Sequence, residues 1–169
     1  MAASAEGEGA KAKAKAKAKR SMVAIDESEC SNYALRWALS NLREAISSSP
    51  LVIFNAQPFA TAGYMTAAAY GAPPPELILS IQEHQKKVSL ALLEKAKAIC
   101  AEQGVVAETI TEIGDPKEAI CEAVQKMNID LLILGSHSRG PLERFFLGSV
   151  SNYCVHNAKC PVLVVKKQN

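Results

Sequence analysis

The feature that most constrains this chain is a repeated alternation. Short runs that are apolar at nearly every position are followed by longer segments whose apolar residues recur at three and four spacing. The runs cover residues 22–25, ending at Asp26, then 51–54 after Pro50, then 130–134, and finally 162–165 after Pro161. Residues 105–113 read as a further strand, third in chain order. A strand that is apolar on both sides of its pleat must be covered on both faces, which is the condition of a parallel sheet. Strands separated by amphipathic helices build right-handed crossover units. The expectation is an α/β fold: a three-layer, open twisted sheet of five parallel strands with helices on both faces.

The intervening segments carry helix signals. Ala34, Leu35, Ala38, Leu39, Leu42, Ala45 and Ile46 form one stripe, with Ser28 as N-cap. A longer helix runs to about Gln103 on Ile78, Ile81, Val88, Leu92, Ala96 and Ile99, and Gly104 stops it. Asp115-Pro116-Lys117-Glu118 opens a third helix: Asp115 caps, Pro116 takes the first helical position and Glu118 closes a capping box. Ala119, Ile120, Ala123, Val124 and Met127 form its buried face. A last helix covers about 150–157. Residues 57–75 read as a long loop rich in Ala, Gly and Pro, either a lid or an insertion.

Charge separates an arm from a body. The whole chain is formally +2. Residues 1–20 hold Lys11, Lys13, Lys15, Lys17, Lys19 and Arg20 against Glu6 and Glu8, leaving the rest with 13 basic and 15 acidic side chains. Alternating Ala and Lys over 1–19 puts lysine on every side of a helix, so no apolar face forms. That segment reads as a disordered, solubilising arm, and 20–169 as the domain. A contact between the arm and nucleic acid, or a weak nuclear signal, is the functional alternative. The slightly acidic body is a poor general nucleic-acid surface.

No stretch of about 18 apolar residues exists, so no spanning helix is expected. The first residues lack the apolar core of a signal peptide. Cys30, Cys100, Cys121, Cys154 and Cys160 form no CxxC pair, so they read as reduced thiols of an intracellular protein. Cys154, His156 and Cys160 fit no usual zinc spacing.

In an open parallel sheet, ligands bind beyond the carboxyl ends of the strands, where the strand order reverses. After the fourth strand comes Gly135-Ser136-His137-Ser138-Arg139-Gly140-Pro141, and Gly148-Ser149-Val150-Ser151 opens the last helix. Small residues at a helix start let an anion reach free N–H groups at the positive end of the dipole. Ser149 and Ser151 add hydroxyls. The pattern points to a phosphate site, although Gly135 alone reads as a tight turn and Ser149 alone as a cap. Two familiar motifs fail. A Walker A loop from Gly135 to Gly140 puts Pro141 and Leu142 where Lys and Ser/Thr are needed. A nucleophile elbow around Ser138 lacks its first glycine, and no acid lies between Ser138 and His156.

These segments, in order, resemble the universal stress protein family. The stretch from Gly135 through Ser138 and nine further residues to Gly148-Ser149 is similar to its signature G-x2-G-x9-G-[S/T]. Residues 22–26 resemble its V-A-x-D opening, Gly114-Asp115-Pro116 its G-D-P/A, and Cys160-Pro161-Val162-Leu163-Val164-Val165 its closing C-P-V-x-V-V. The likeness covers about 20–167 and is closest to the plant branch.

The resemblance implies the strand order 3-2-1-4-5 of Rossmann-like, adenine nucleotide alpha hydrolase-like folds. It also implies a mostly cytosolic homodimer that binds ATP or AMP in a stress response. By position, Ala24, Ile25 and Ala56 would meet adenine, and Asp26 the ribose or a phosphate-held Mg²⁺; read from the residues alone, Asp26 is also open to capping the first helix. Leu134 and Gly135 would line the ribose and α-phosphate, while Gly148, Ser149, Val150 and Ser151 would donate to the β- and γ-phosphates. His137 reads either as a phosphate contact or as a simple loop residue. The second signature glycine is Ser138 here. If that position needs positive φ, a side chain costs about 1–2 kcal/mol, whereas Ser138 and Arg139 offer new phosphate donors.

The leading expectation is a nucleotide-responsive regulatory module. The alternatives are a chaperone-like or scaffolding dimer with a vestigial site, and a slow ATPase. With no Walker lysine and no second carboxylate near Asp26, turnover is expected to be slow at most. The fifth strand, 162–165, is an apolar edge that a second copy would cover.

Overall fold

The computed structural model describes residues 17–60, 71, 73–136 and 148–168. Five strands, β1 (Ser21–Ala24), β2 (Leu51–Gln57), β3 (Ala107–Ile113), β4 (Leu131–Gly135) and β5 (Val162–Val165), form one sheet in the order β3-β2-β1-β4-β5. Every neighbouring pair is parallel. The crossovers carry α1 (Glu29–Asn41), α2 (Arg43–Ile46), α3 (Pro75–Glu102), α4 (Pro116–Lys126) and α5 (Ser149–Asn157). No helix among the described residues is long and apolar enough to cross a membrane.

Strand parity sorts the apolar residues into two cores. Val23, Ile25, Leu51, Ile53 and Ile133 face α1, α2 and α3, where Leu35, Leu39, Ile46, Leu93 and Ile99 meet them. Met22, Ala24, Val52, Phe54, Leu132 and Leu134 face α4 and α5, against Ile120, Ala123, Val124 and Cys154. Each fully buried Leu, Ile or Phe contributes about 1.5–3 kcal/mol. That is why β1, β2 and β4 read as continuous apolar runs.

Helix ends follow their local chemistry. The Ser28 hydroxyl accepts the Ser31 amide and caps α1. Gly104 sits at φ +70 just past α3, and the Val105 amide returns to the Cys100 carbonyl at 2.9 Å. This left-handed turn drops the chain into β3. Asp115 Oδ1 accepts the Lys117 amide at 3.2 Å and caps α4. The reciprocal half of the expected capping box is not formed: Glu118 is exposed and bonds nothing among the described residues. A carboxylate in the first turn gains from the helix dipole without a specific bond.

Helix α3 departs from its expected stripe. Ser89, Leu93, Ala96, Ile99 and Cys100 are buried, whereas Ile78, Ile81, Val88 and Leu92 are only half-buried. Length explains this. A helix of 28 residues spans about 42 Å, and the longest strands, of seven residues, span about 23 Å. The first half of α3 overhangs the sheet.

Candidate functional site

The order of strands reverses at β1, which pairs with β2 on one side and β4 on the other. The helix after β1, α1, lies on one face of the sheet and α5, which follows β4, on the other, and this leaves a crevice between the two carboxyl tips. A cavity of about 420 Å³ opens there, lined by Ala24, Ile25, Asp26, Ser31, Phe54, Ala56, Pro116, Ile120, Leu134, Gly135, Gly148, Ser149, Val150 and Ser151. Ten of these are the residues that the sequence singled out. The remaining three candidates, His137, Ser138 and Arg139, lie outside the described residues.

Helix α5 points its start into this cavity. Gly148 is its N-cap, in extended geometry at φ −58 and ψ 156, and no side chain caps the first turn. Ser149 is thus the first helical residue rather than the cap. The Ser151 hydroxyl donates to the Gly148 carbonyl at 3.0 Å. The first amides of a helix have no intrahelical acceptor, so this end offers N–H donors and positive potential to an anion.

Gly135 is required for a reason other than a turn. A Cβ built on it would lie 2.5 Å from the Cys30 carbonyl oxygen and 2.8 Å from the Ser31 nitrogen. The missing side chain lets the first turn of α1 pass directly over the tip of β4. That contact closes one wall of the cavity.

Asp26 sits where β1 gives way to α1. Its Oδ1 accepts the Ser28 amide at 2.9 Å and also the Ser28 hydroxyl, while its own amide lies 3.1 Å from Ser31 Oγ. Ser31 Oγ also lies 2.9 Å from the Asp26 carbonyl. The carboxylate therefore buttresses the capped end of α1 as well as bordering the cavity. Behind it, buried Asn55 donates Nδ2 to the Ile25 carbonyl at 2.9 Å, and the Ile25 amide reaches the Phe54 carbonyl at 2.8 Å. These bonds hold the tip of β1 against β2. Asn55→Ala is expected to lower stability by about 1–3 kcal/mol, read as a shift in urea midpoint.

Two further cavities share Asp26. One, about 470 Å³ between α1 and α3, carries Glu27 and Glu29, with Lys167 bound to Glu29 at 2.6 Å. The other, about 610 Å³ beside α3, carries Asp26 and Glu27 and, among the described residues, no Lys or Arg. Among the described residues, neither contains a helix start without a side-chain cap. The switch-point cavity instead joins an apolar floor of Ala24, Phe54, Ile120 and Leu134 to the polar end of α5. A flat base on the floor and an anion at the helix start match those two halves.

Sequence reasoning missed four lining residues: Ser31, Phe54, Pro116 and Ile120. Phe54 was accessible through parity, because it shares a strand face with Ala56. Pro116 and Ile120 open the helix that follows β3, whose place beside the cavity depends on the strand order. Ser31 depends on the close approach at Gly135.

The universal stress protein family profile matches residues 17–166. A universal stress protein A-like protein of Arabidopsis thaliana is 31% identical, over 86% of this chain and 89% of its own length. The universal stress protein YxiE of Bacillus subtilis is 33% identical, over 87% and 98%. Among solved structures, a universal stress protein family protein from Arabidopsis thaliana with AMP bound superposes with a TM-score of 0.65 at 28% identity, covering 89% of this chain and 92% of that one. The chain belongs to the universal stress protein family.

Proposed function

We propose that this protein binds an adenine nucleotide, ATP or AMP, in the switch-point cavity and acts as a nucleotide-responsive module in a stress response. The observation that carries the reading is the convergence of β1, β2 and β4 tips with the first turn of α5 on one cavity. The AMP-bound Arabidopsis relative supports the ligand class. Ala24, Ile25 and Ala56 take the base, Leu134 and Gly135 the ribose and first phosphate, and residues 148–151 the outer phosphates. Asp26 faces the ribose or a Mg²⁺ that the phosphates bring. The described lining holds one carboxylate and no Lys, Arg or His, which favours binding over turnover.

A ligand that binds only the folded state stabilises it by mass action. AMP or ATP–Mg²⁺ at about 100 times its Kd is expected to add about 2.7 kcal/mol, which raises Tm by roughly 5–10 °C for a chain of this size. An unchanged Tm with both nucleotides would remove the reading.

The module is proposed to be a homodimer joined through β5. The opposite edge, β3, carries Glu108 and Glu112, paired with Arg20 and Lys126. Such charges discourage strand pairing. In contrast, β5 is Val-Leu-Val-Val, half-buried at its first three positions. Sedimentation is expected to give twice 18.1 kDa, and Val164→Lys to shift the chain toward monomer. A wild-type monomer at high concentration would contradict the assignment. The arm, 1–19, is taken as an appendage to this domain in a cytoplasmic protein.

A further inference from the structure

The fold gathers three cysteines that are far apart in sequence. Cys121 lies on α4, Cys154 on α5 and Cys160 just before β5, and all three pack in the core on one side of the sheet. Cys100 lies in the other core. Cys121 Sγ and Cys154 Sγ are 3.9 Å apart, and Cys154 Sγ is also 4.0 Å from the Lys117 carbonyl. The two helices are further tied by Lys117, whose Nζ sits 5.5 Å from the Tyr153 ring centre. Cys121 is half-buried, whereas Cys154 is 0% exposed.

We propose that Cys121 and Cys154 form an oxidation site, at which a hydroperoxide converts two thiols into an intrachain disulfide between α4 and α5. The more accessible partner, Cys121, reacts first. The Cys121 sulfur attacks the peroxide oxygen, the O–O bond breaks, and water leaves behind a sulfenic acid. The Cys154 sulfur then attacks Cys121 Sγ, the S–O bond breaks, and a second water carries away the thiol proton. Two thiols are oxidised by two electrons, and one hydrogen peroxide is reduced to two waters. Cys154 never has to meet the oxidant, so its complete burial is no obstacle.

The surroundings set the pace. Burial first, and then the neighbouring Cys121 thiol, push Cys154 up to about 12. Burial also raises Cys121, against the lowering effect of its hydrogen bond to Cys154. Cys160 is raised too, chiefly by burial, with Asp130 and Cys121 adding to it. Both members of the pair are therefore thiols at neutral pH, and oxidation is slow until the thiolate fraction rises. The site answers sustained oxidant rather than a brief pulse. Both linked helices reach the nucleotide cavity, α4 through Pro116 and α5 through Ser149. The chemistry of the pair is independent of whether a nucleotide binds.

The test is peptide mapping of the full chain after hydrogen peroxide at about pH 9, where thiolate is more abundant, followed by alkylation of the remaining thiols. Trypsin places Cys121 in peptide 118–126, Cys154 in 145–159 and Cys160 in 160–166, so the three are separable. The expected product is the linked pair 118–126 with 145–159. The monomeric chain is expected to be lighter by about 2 Da, and dithiothreitol to restore its mass. Cys121→Ser and Cys154→Ala are expected to abolish the link, and Cys160→Ser to leave it. Five thiol-modified peptides with no link, a link through Cys160 instead, or a bond between two chains would overturn the proposal. The wild-type map decides this even if a variant fails to fold.

Discussion

Ser149→Pro is expected to leave the fold intact and to weaken ATP binding by about tenfold to a hundredfold. Proline suits the first position of a helix, where its missing N–H bonds nothing within the helix. It also requires the preceding residue to be extended, and Gly148 already is, at φ −58 and ψ 156. The substitution therefore removes one amide and one hydroxyl at the cavity without disturbing α5. A hydrogen bond to a charged group contributes about 1.5–3 kcal/mol, which sets the size of the loss. AMP, which lacks the outer phosphates assigned to this end, is expected to lose less. Calorimetry with both nucleotides and a melting curve of the free protein measure the two halves. Unchanged ATP affinity with an unchanged Tm would show that this amide does not meet phosphate.

The largest stability effect is expected at Gly135. In Gly135→Ala the new methyl meets backbone, the Cys30 carbonyl and the Ser31 nitrogen, at 2.5–2.8 Å. Backbone cannot swing aside as a long side chain does, so either α1 or β4 must move. Overpacking of this kind costs about 1–3 kcal/mol, and here the upper part of that range is expected. At this chain length it corresponds to a fall in Tm of roughly 5–10 °C. Since α1 also carries the Ser28–Asp26–Ser31 bonds at the cavity rim, nucleotide binding is expected to fall with it. A Tm within a degree or two of wild type would show that the approach of α1 to β4 is looser than the structure has it.

The contrast between these two positions shows what the sequence made legible. The helix start at Gly148-Ser149 was readable because small residues before an amphipathic segment have a direct electrostatic meaning. The apolar runs of β1, β2 and β4 declared a sheet buried on both faces, and that sheet is present. Gly135 was readable as special but not for its reason. A glycine says that something comes close, not what, and here it is the backbone of a helix more than a hundred residues earlier. The stripe of α3 misled for a related cause. Periodicity reports which residues share a face, but not how far the sheet beneath them extends, so Ile78 and Ile81 overhang. The thiol cluster was invisible because 121, 154 and 160 meet only through the packing of α4, α5 and β5.

The tips of β1, β2 and β4 and the first turn of α5 are proposed to form one nucleotide site. An amide-resolved NMR titration of the isotope-labelled full chain with AMP and with ATP tests it most directly. The largest shifts are expected at Ala24, Ile25, Asp26, Ala56, Gly135, Ser149, Val150 and Ser151, extending further into α5 with ATP than with AMP. Shifts centred instead on Arg36, Lys95 and Lys167 in the groove between α1 and α3, or none at millimolar nucleotide, would contradict it.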